Sequence, residues 1–251
     1  MSERLLGKRI LLTGGVANIG LAILKAYVAE GATVAVVDRD TEKGEALNAE
    51  FPGAVRFFHA DISREEDIAA AVQAAAEWMN GLDTLCLNAG LQLSGGIEDF
   101  STDNWDRTFA VNVRSGFLFV KHALPLLRAA GNSSITFMSS LAGKRGAPGL
   151  LAYSASKATV INMASALAQE LASDGVRVNA VCPGWIDTPF NQPIIDLMGG
   201  SARQDEVVRA NVPLGRQALP EEVAPLFVYL ASNEASYVTA QAINVDGGAY
   251  N

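Results

Sequence analysis

Tyr153 and Lys157 stand four residues apart in the stretch YSASK. Four residues make about one helical turn, so on a helix both side chains leave the same face. The residues between them are small and leave room for a ligand to approach. Oxidising an alcohol requires a proton to leave oxygen while hydride leaves carbon. A free tyrosine, with a pKa of about 10, is a poor base near neutral pH. A neighbouring ammonium favours the phenolate. Lowering the pKa by about two units takes roughly 2.7 kcal/mol, within reach of one close cation in a partly dry site. The pair is therefore expected to work as an acid or base with Lys157 lowering the Tyr153 pKa. Taken alone, the same five residues also read as a helix start with a solvated lysine.

The elements that must position this pair alternate along the chain. Short β-branched runs at 8–13, 32–38, 54–61, 82–90, 133–140, 176–184 and 240–248 read as seven strands. Helical patterns separate them, including long ones at 104–129 and 152–173. The pattern SREEDIAAAVQ reads as a helix with a Ser63 cap and an acidic first turn. Pro220 reads as the first turn of a helix. Strands apolar on both faces, alternating with helices, imply a parallel sheet covered on both sides. The fold class is α/β: a single doubly wound Rossmann-type domain over 1–251, with seven parallel strands and helices on both faces. The segment 185–215, rich in Pro and Gly, is expected as a substrate loop. Its part 189–213 is expected to be mobile and to close over a ligand.

In such a sheet, ligands bind beyond the carboxyl ends of the strands. Glycines and polar residues gather at those ends. In TGGVANIG, Gly14 and Gly15 permit a tight turn and Gly20 permits close helix packing. The helix N-terminus then suits a pyrophosphate. Asp38 ends the second strand, 18 residues beyond Gly20. An acid there accepts hydrogen bonds from a ribose and repels a 2′-phosphate, by roughly 4 kcal/mol for two like charges about 4 Å apart at a dielectric near 20. NAD is the expected cofactor, with Arg39 partly offsetting the repulsion.

Composition narrows the function classes. The chain has 251 residues, a net charge of −8 and 49% hydrophobic residues. Such an acidic chain is a poor general binder of nucleic acid or anionic membrane. Neither a signal peptide nor a membrane span is expected. Cys86 and Cys182 sit in apolar runs and read as buried thiols in a reducing compartment, which suggests the cytoplasm.

These motifs together resemble the short-chain dehydrogenase/reductase family over essentially the whole length. The pieces are TGGVANIG, HADI at 59–62, LNAG at 87–90, VNV at 111–113, Ser139-Ser140, YSASK and PGWIDT at 183–188. The resemblance implies an NAD-dependent oxidoreductase acting on a secondary alcohol, with Asn112, Ser140, Tyr153 and Lys157 catalytic. Ser140 would position the substrate oxygen, Lys157 would also hold the nicotinamide ribose, and Asn112 would support a proton relay. The strand pleat should turn Ser139 away. Implied cofactor contacts are Gly14, Asn18, Ile19 and Gly20 at the turn, Asp38, Asp61 and Ile62 around the adenosine, and Asn88, Ala89 and Gly90. They continue with Pro183, Gly184, Ile186 and Thr188, together with Tyr153 and Lys157. Two positions depart from the family pattern. Asn18 stands where a glycine is usual, though Asn tolerates left-handed backbone; Leu87 stands where an Asn is usual. A homotetramer is the family's habit.

Substrate walls are expected from Gln92, Leu93, Ser94, Leu141, Leu150 and Trp185, besides Ser140, Tyr153 and the 189–213 segment. Their mixed character suggests a small to medium secondary alcohol, a polyol or a hydroxy acid. Lys144 and Arg145 either attract an anionic substrate or lie in a solvated or subunit-facing loop. His59 and His122 lack metal-ligand spacing. Trp78 and Met79 read as packing. Two rival readings are an NADPH-dependent ketone reductase and a non-catalytic dinucleotide-binding scaffold.

Overall fold

Side chains alternate across every central strand, and the alternation sorts the core into two layers. The computed structural model of the chain describes residues 3–250. Strands β1 (Arg9–Thr13), β2 (Thr33–Asp38), β3 (Val55–His59), β4 (Thr84–Leu87), β5 (Ser133–Met138), β6 (Val176–Pro183) and β7 (Ala242–Val245) form one parallel sheet in the order β3-β2-β1-β4-β5-β6-β7. Leu11, Leu85 and Leu87 face one layer; Ile10, Leu12 and Cys86 face the other.

The first layer is closed by α3 (Glu65–Met79), α5 (Ser115–Ala130) and α6 (Leu151–Leu171), through Ile68, Phe119, Val160 and Leu171. The second is closed by α1 (Asn18–Ala29), α2 (Thr41–Glu50) and α9 (Pro220–Ala231), through Ile23, Tyr27, Leu47 and Phe227. The strand order reverses between β1 and β4, which opens a crevice at their carboxyl ends. Met79 is buried in the first layer and Trp78 packs on Phe58, with ring centroids 6.3 Å apart. Cys86 and Cys182 are free and buried.

Several boundaries differ from those expected. Strand β4 stops at Leu87 and β5 at Met138, so Asn88–Gly90 and Ser139–Ser140 lie beyond the strands' carboxyl ends. Their apolar flanks continue the strand pattern, while the side chains of Asn88, Ser139 and Ser140 bond neighbouring backbone. The long helix begins as α4 (Thr102–Phe109), passes through a π turn at Ala110–Arg114, and resumes as α5. Ser63 does not cap α3: its hydroxyl donates to Asp61, and Arg64 holds the cap position. The segment expected to be irregular contains α7 (Gln192–Met198) and α8 (Ser201–Asn211), separated by Gly199 and Gly200 at positive φ. Glycine readily takes that conformation, and here it divides two helices instead of abolishing them.

A tight contact sets where α6 lies. The 3₁₀ turn Leu141–Gly143 packs on α6 at Lys157, and a Cβ on Gly143 would stand 2.6 Å from the Lys157 carbonyl carbon. Backbone cannot yield as a flexible side chain can. Gly143→Ala is expected to destabilise the fold by about 1–3 kcal/mol. Thermal unfolding should show a fall in Tm of about 5 °C; an unchanged Tm would show that the turn does not fix α6.

Candidate active site

The β1–α1 turn is built on backbone. Gly14 has φ 70° and Asn18 has φ 51°, so Asn18 takes the left-handed conformation expected of it. A Cβ on Gly20 would collide with the Gly14 carbonyl oxygen. Asn88, just past β4, donates through Nδ2 to the carbonyls of Thr13 (3.1 Å) and Gly14 (3.0 Å). The Ala89 amide donates to the Thr13 hydroxyl at 3.0 Å. These bonds tie the strand ends at the topological switch into one rim. The first turn of α1 has no side-chain cap, so its N–H groups face the crevice unblocked by a side-chain acceptor.

At the end of β2, Asp38 Oδ1 accepts from the amides of Arg39 (2.7 Å) and Asp40 (3.1 Å). Asp61 accepts from the Ser63 amide and hydroxyl, and these bonds hold its carboxyl below the usual range.

The Tyr153–Lys157 pair lies on α6 as the spacing predicts. The lysine is 2% exposed, and its ammonium donates to the Met138 carbonyl at 2.7 Å. Ser139 also lines the cavity, and its hydroxyl donates to the Lys157 carbonyl at 2.8 Å. Asn112 sits in the π turn, 6% exposed. Its Oδ1 accepts from the Leu91 amide (2.7 Å); its Nδ2 donates to the Leu91 carbonyl (2.9 Å) and to Ser156 Oγ (3.0 Å). Ser156 in turn donates to the Tyr153 carbonyl at 2.7 Å. A Cβ on Gly90 would stand 3.3 Å from the ammonium nitrogen and 3.5 Å from Asn112 Oδ1, so a glycine keeps that space open.

A cavity of about 550 Å³ joins these parts. Along its floor run Gly14, Asn18, Ile19, Gly20 and Asp38, then Asp61, Ile62, Asn88, Ala89 and Gly90. Ser140, Tyr153 and Lys157 line its inner end with Pro183, Gly184, Ile186 and Thr188. Gln92, Leu141, Leu150 and Trp185 also line it, whereas Leu93, Ser94 and Asn112 do not. Ser94 instead donates its hydroxyl to the Pro193 carbonyl at 2.8 Å. Of the two loop cations, Arg145 lines the cavity, while Lys144 donates to the Ala242 carbonyl and lies over the Tyr250 ring.

Sequence reasoning did not single out Phe190, Ile194, Arg107 or Ser156. The Phe190 ring covers Tyr153, with centroids 6.2 Å apart. Ile194 packs with Tyr153 and Leu150 in a small apolar cluster. Arg107 lines the cavity from α4. Ser156 was visible only as one of the small residues inside YSASK.

Burial shifts both members of the pair. Burial pushes the Tyr153 phenol up to about 12, and hydrogen bonding with Ser140 only partly opposes the rise. Burial pushes the Lys157 ammonium down to about 8. The ammonium lies over the tyrosine ring, 5.7 Å from its centroid. Burial is the largest cause of both shifts.

Comparison with known proteins adds independent findings. The family profile described as Enoyl-(Acyl carrier protein) reductase matches residues 15–250. The chain is 37% identical to 2-(S)-hydroxypropyl-CoM dehydrogenase 3 of Xanthobacter autotrophicus, covering 99% of this chain and 98% of that one. It is 37% identical to 3-alpha-(or 20-beta)-hydroxysteroid dehydrogenase of Mycobacterium bovis, covering 99% and 91%. A crystal structure from Brucella melitensis, titled a short-chain dehydrogenase/reductase, glucose/ribitol dehydrogenase, superposes with a TM-score of 0.89 at 32% identity, covering both chains fully.

The Lys157 shift has a consequence for stability. Its folded-state value, about 8, lies below the usual 10.5. The unfolded chain then binds more protons between those two values, so the lysine's contribution to stability rises with pH across that window. Measured against Lys157→Met, wild-type Tm should gain steadily from pH 8 to 10. A difference flat across that range would mean that the ammonium is not desolvated.

Proposed function

The chain belongs to the short-chain dehydrogenase/reductase family and is a nicotinamide-dependent alcohol dehydrogenase or ketone reductase; from that premise we propose that it oxidises a small to medium secondary alcohol with NAD⁺, using Tyr153 as the proton acceptor. The observation that carries this reading is that Tyr153, Ser140 and Lys157 share one cavity with the glycine turn and Asp38.

The residues fit a dinucleotide. The α1 N-terminus offers uncapped amides, and no side chain projects from Gly14 or Gly20 into the approach. A bound nicotinamide dinucleotide supplies the hydride acceptor. Ser140 holds the substrate oxygen by hydrogen bonding, and Tyr153 Oη takes its proton. A tyrosine held near 12 serves as a base only when further positive charge stands beside it, whereas it donates a proton readily in the reverse direction. Lys157 keeps its positive charge beside the phenol and would hold the nicotinamide ribose, and Asn112 fixes the backbone that frames the pair.

Asp38 supports NAD over NADP. Both of its backbone bonds go to Oδ1, which leaves Oδ2 for a ribose hydroxyl. The second reading, an NADPH-dependent ketone reductase, draws on Arg39, which lines the cavity beside Asp38. We carry forward the single domain, the homotetramer and the cytoplasmic setting as proposals. The free buried thiols agree with the last of these. No described helix is long and apolar enough to cross a membrane.

Tyr153→Phe should lower kcat at least about a thousandfold while NAD⁺ still binds, read by absorbance of reduced nicotinamide and by calorimetry. An active Tyr153→Phe protein would remove the mechanism. Asp38→Ala should shift the NAD-to-NADP ratio of kcat/KM by about 10–100-fold towards NADP. An unchanged ratio would show that Asp38 does not face the ribose. Both are measured across a panel of polyols, hydroxy acids, steroids and simple secondary alcohols. No reduced nicotinamide from any of them would count against the dehydrogenase reading.

A further inference from the structure

Five buried side-chain polar atoms have no partner among the described residues, and only one, Gln92 Nε2, belongs to a residue lining the cavity. Gln92 is 6% exposed. A buried amide without a partner is costly, so such groups in a ligand cavity point to a ligand atom. The backbone on either side of Gln92 is pinned. Asn112 holds both the amide and the carbonyl of Leu91. Two residues further on, the Ser94 hydroxyl bonds the Pro193 carbonyl and the Gly95 amide bonds the Gly149 carbonyl at 2.9 Å. The backbone that carries Gln92 is thus fixed, while Nε2 of its amide has no protein partner, and turning the amide would present it to the cavity.

The surroundings say what kind of atom is missing. Leu150, Tyr153 and Ile194 pack together, with Trp185 and Phe190 against them, so this part of the cavity is largely apolar. An alcohol whose only oxygen engages Ser140 and Tyr153 would leave the Gln92 amide unanswered.

We infer that Gln92 determines specificity by binding a second oxygen function, a hydroxyl or a carbonyl, on a carbon near the reacting one. This rests on the dehydrogenase reading and names its substrate class: diols and hydroxy-ketones rather than simple alcohols. A hydroxyl both donates and accepts, so it satisfies the amide in either orientation. A site built to hydrogen-bond an oxygen rejects the analogue that lacks it, because the protein group is then stranded.

The test compares cyclopentanol, trans-cyclopentane-1,2-diol and cyclopentane-1,3-diol on wild type and Gln92→Met. One of the diols should be preferred over cyclopentanol in kcat/KM by about 10–100-fold, and Gln92→Met should erase that preference. Calorimetric titration of the same probes into Tyr153→Phe protein holding NAD⁺ reads the preference without turnover. Removing a stranded amide should leave Tm the same or higher. Wild type preferring neither diol, or Gln92→Met keeping the preference, overturns the inference. So does a Tm several degrees lower, since the amide would then have a protein partner. A calorimetric preference that Gln92→Met loses, with no turnover of any probe, would retain the role of Gln92 and count against the dehydrogenase reading alone.

Discussion

The structure is organised around a buried ammonium. Lys157 places a charge where water scarcely reaches, and its hydrogen bond to the Met138 carbonyl is the local compensation. That bond requires the end of β5 and the first turns of α6 to meet closely. The meeting is enforced by the Ser139 hydroxyl on the Lys157 carbonyl and by Gly143, where a side chain would strike the same backbone. Isolated charges are expensive inside proteins. A lysine kept there, with burial bringing its pKa down to about 8, is the kind of perturbed group that gathers at functional sites.

A second constraint radiates from Asn112. A π turn admits one extra residue into a helix and reorients the side chains around it. Here it directs one carboxamide simultaneously to the loop after β4 and to α6. The first connection fixes Leu91, and with it the cavity wall at Gln92. The second runs through Ser156 to the backbone of Tyr153. One side chain therefore registers the cavity wall against the backbone of Tyr153. A mid-helix asparagine, otherwise unfavourable, is explained by this three-way contact as much as by any proton relay.

Much of this was legible in the sequence because it rests on local patterns. The apolar, β-branched runs and their intervening helices gave the sheet. The spacing of Tyr153 and Lys157 gave one face of α6, and Asn18 gave a left-handed turn residue. What escaped depended on the packed chain. The pattern at 104–129 reads as one helix because an inserted π residue hardly disturbs a 3.6 period. Helices α7 and α8 were hidden because Pro193, Gly199 and Gly200 mask two short segments as a loop. The opposing push of burial on Tyr153 was not legible, because sequence shows a neighbouring charge but not the depth of burial. Gln92 was visible as a wall residue, but its stranded amide emerges only once Leu91 is pinned to Asn112.

The direction of the Tyr153 shift bears on how the proposed chemistry is controlled. Burial raises the phenol and lowers the ammonium, so it favours the protonated tyrosine. Left to its own charges, the pair is an acid, suited to giving a proton to a developing alkoxide. Taking a proton from an alcohol needs extra positive charge in the cavity, so the base function is conditional on what the cavity holds. Burial thus keeps Tyr153 from ionising wastefully, and the same burial strengthens any field later applied to it. The apolar covering of Phe190 and Ile194 is consequently part of the acid–base machinery on this reading: it sets the resting protonation state and magnifies the response to charge.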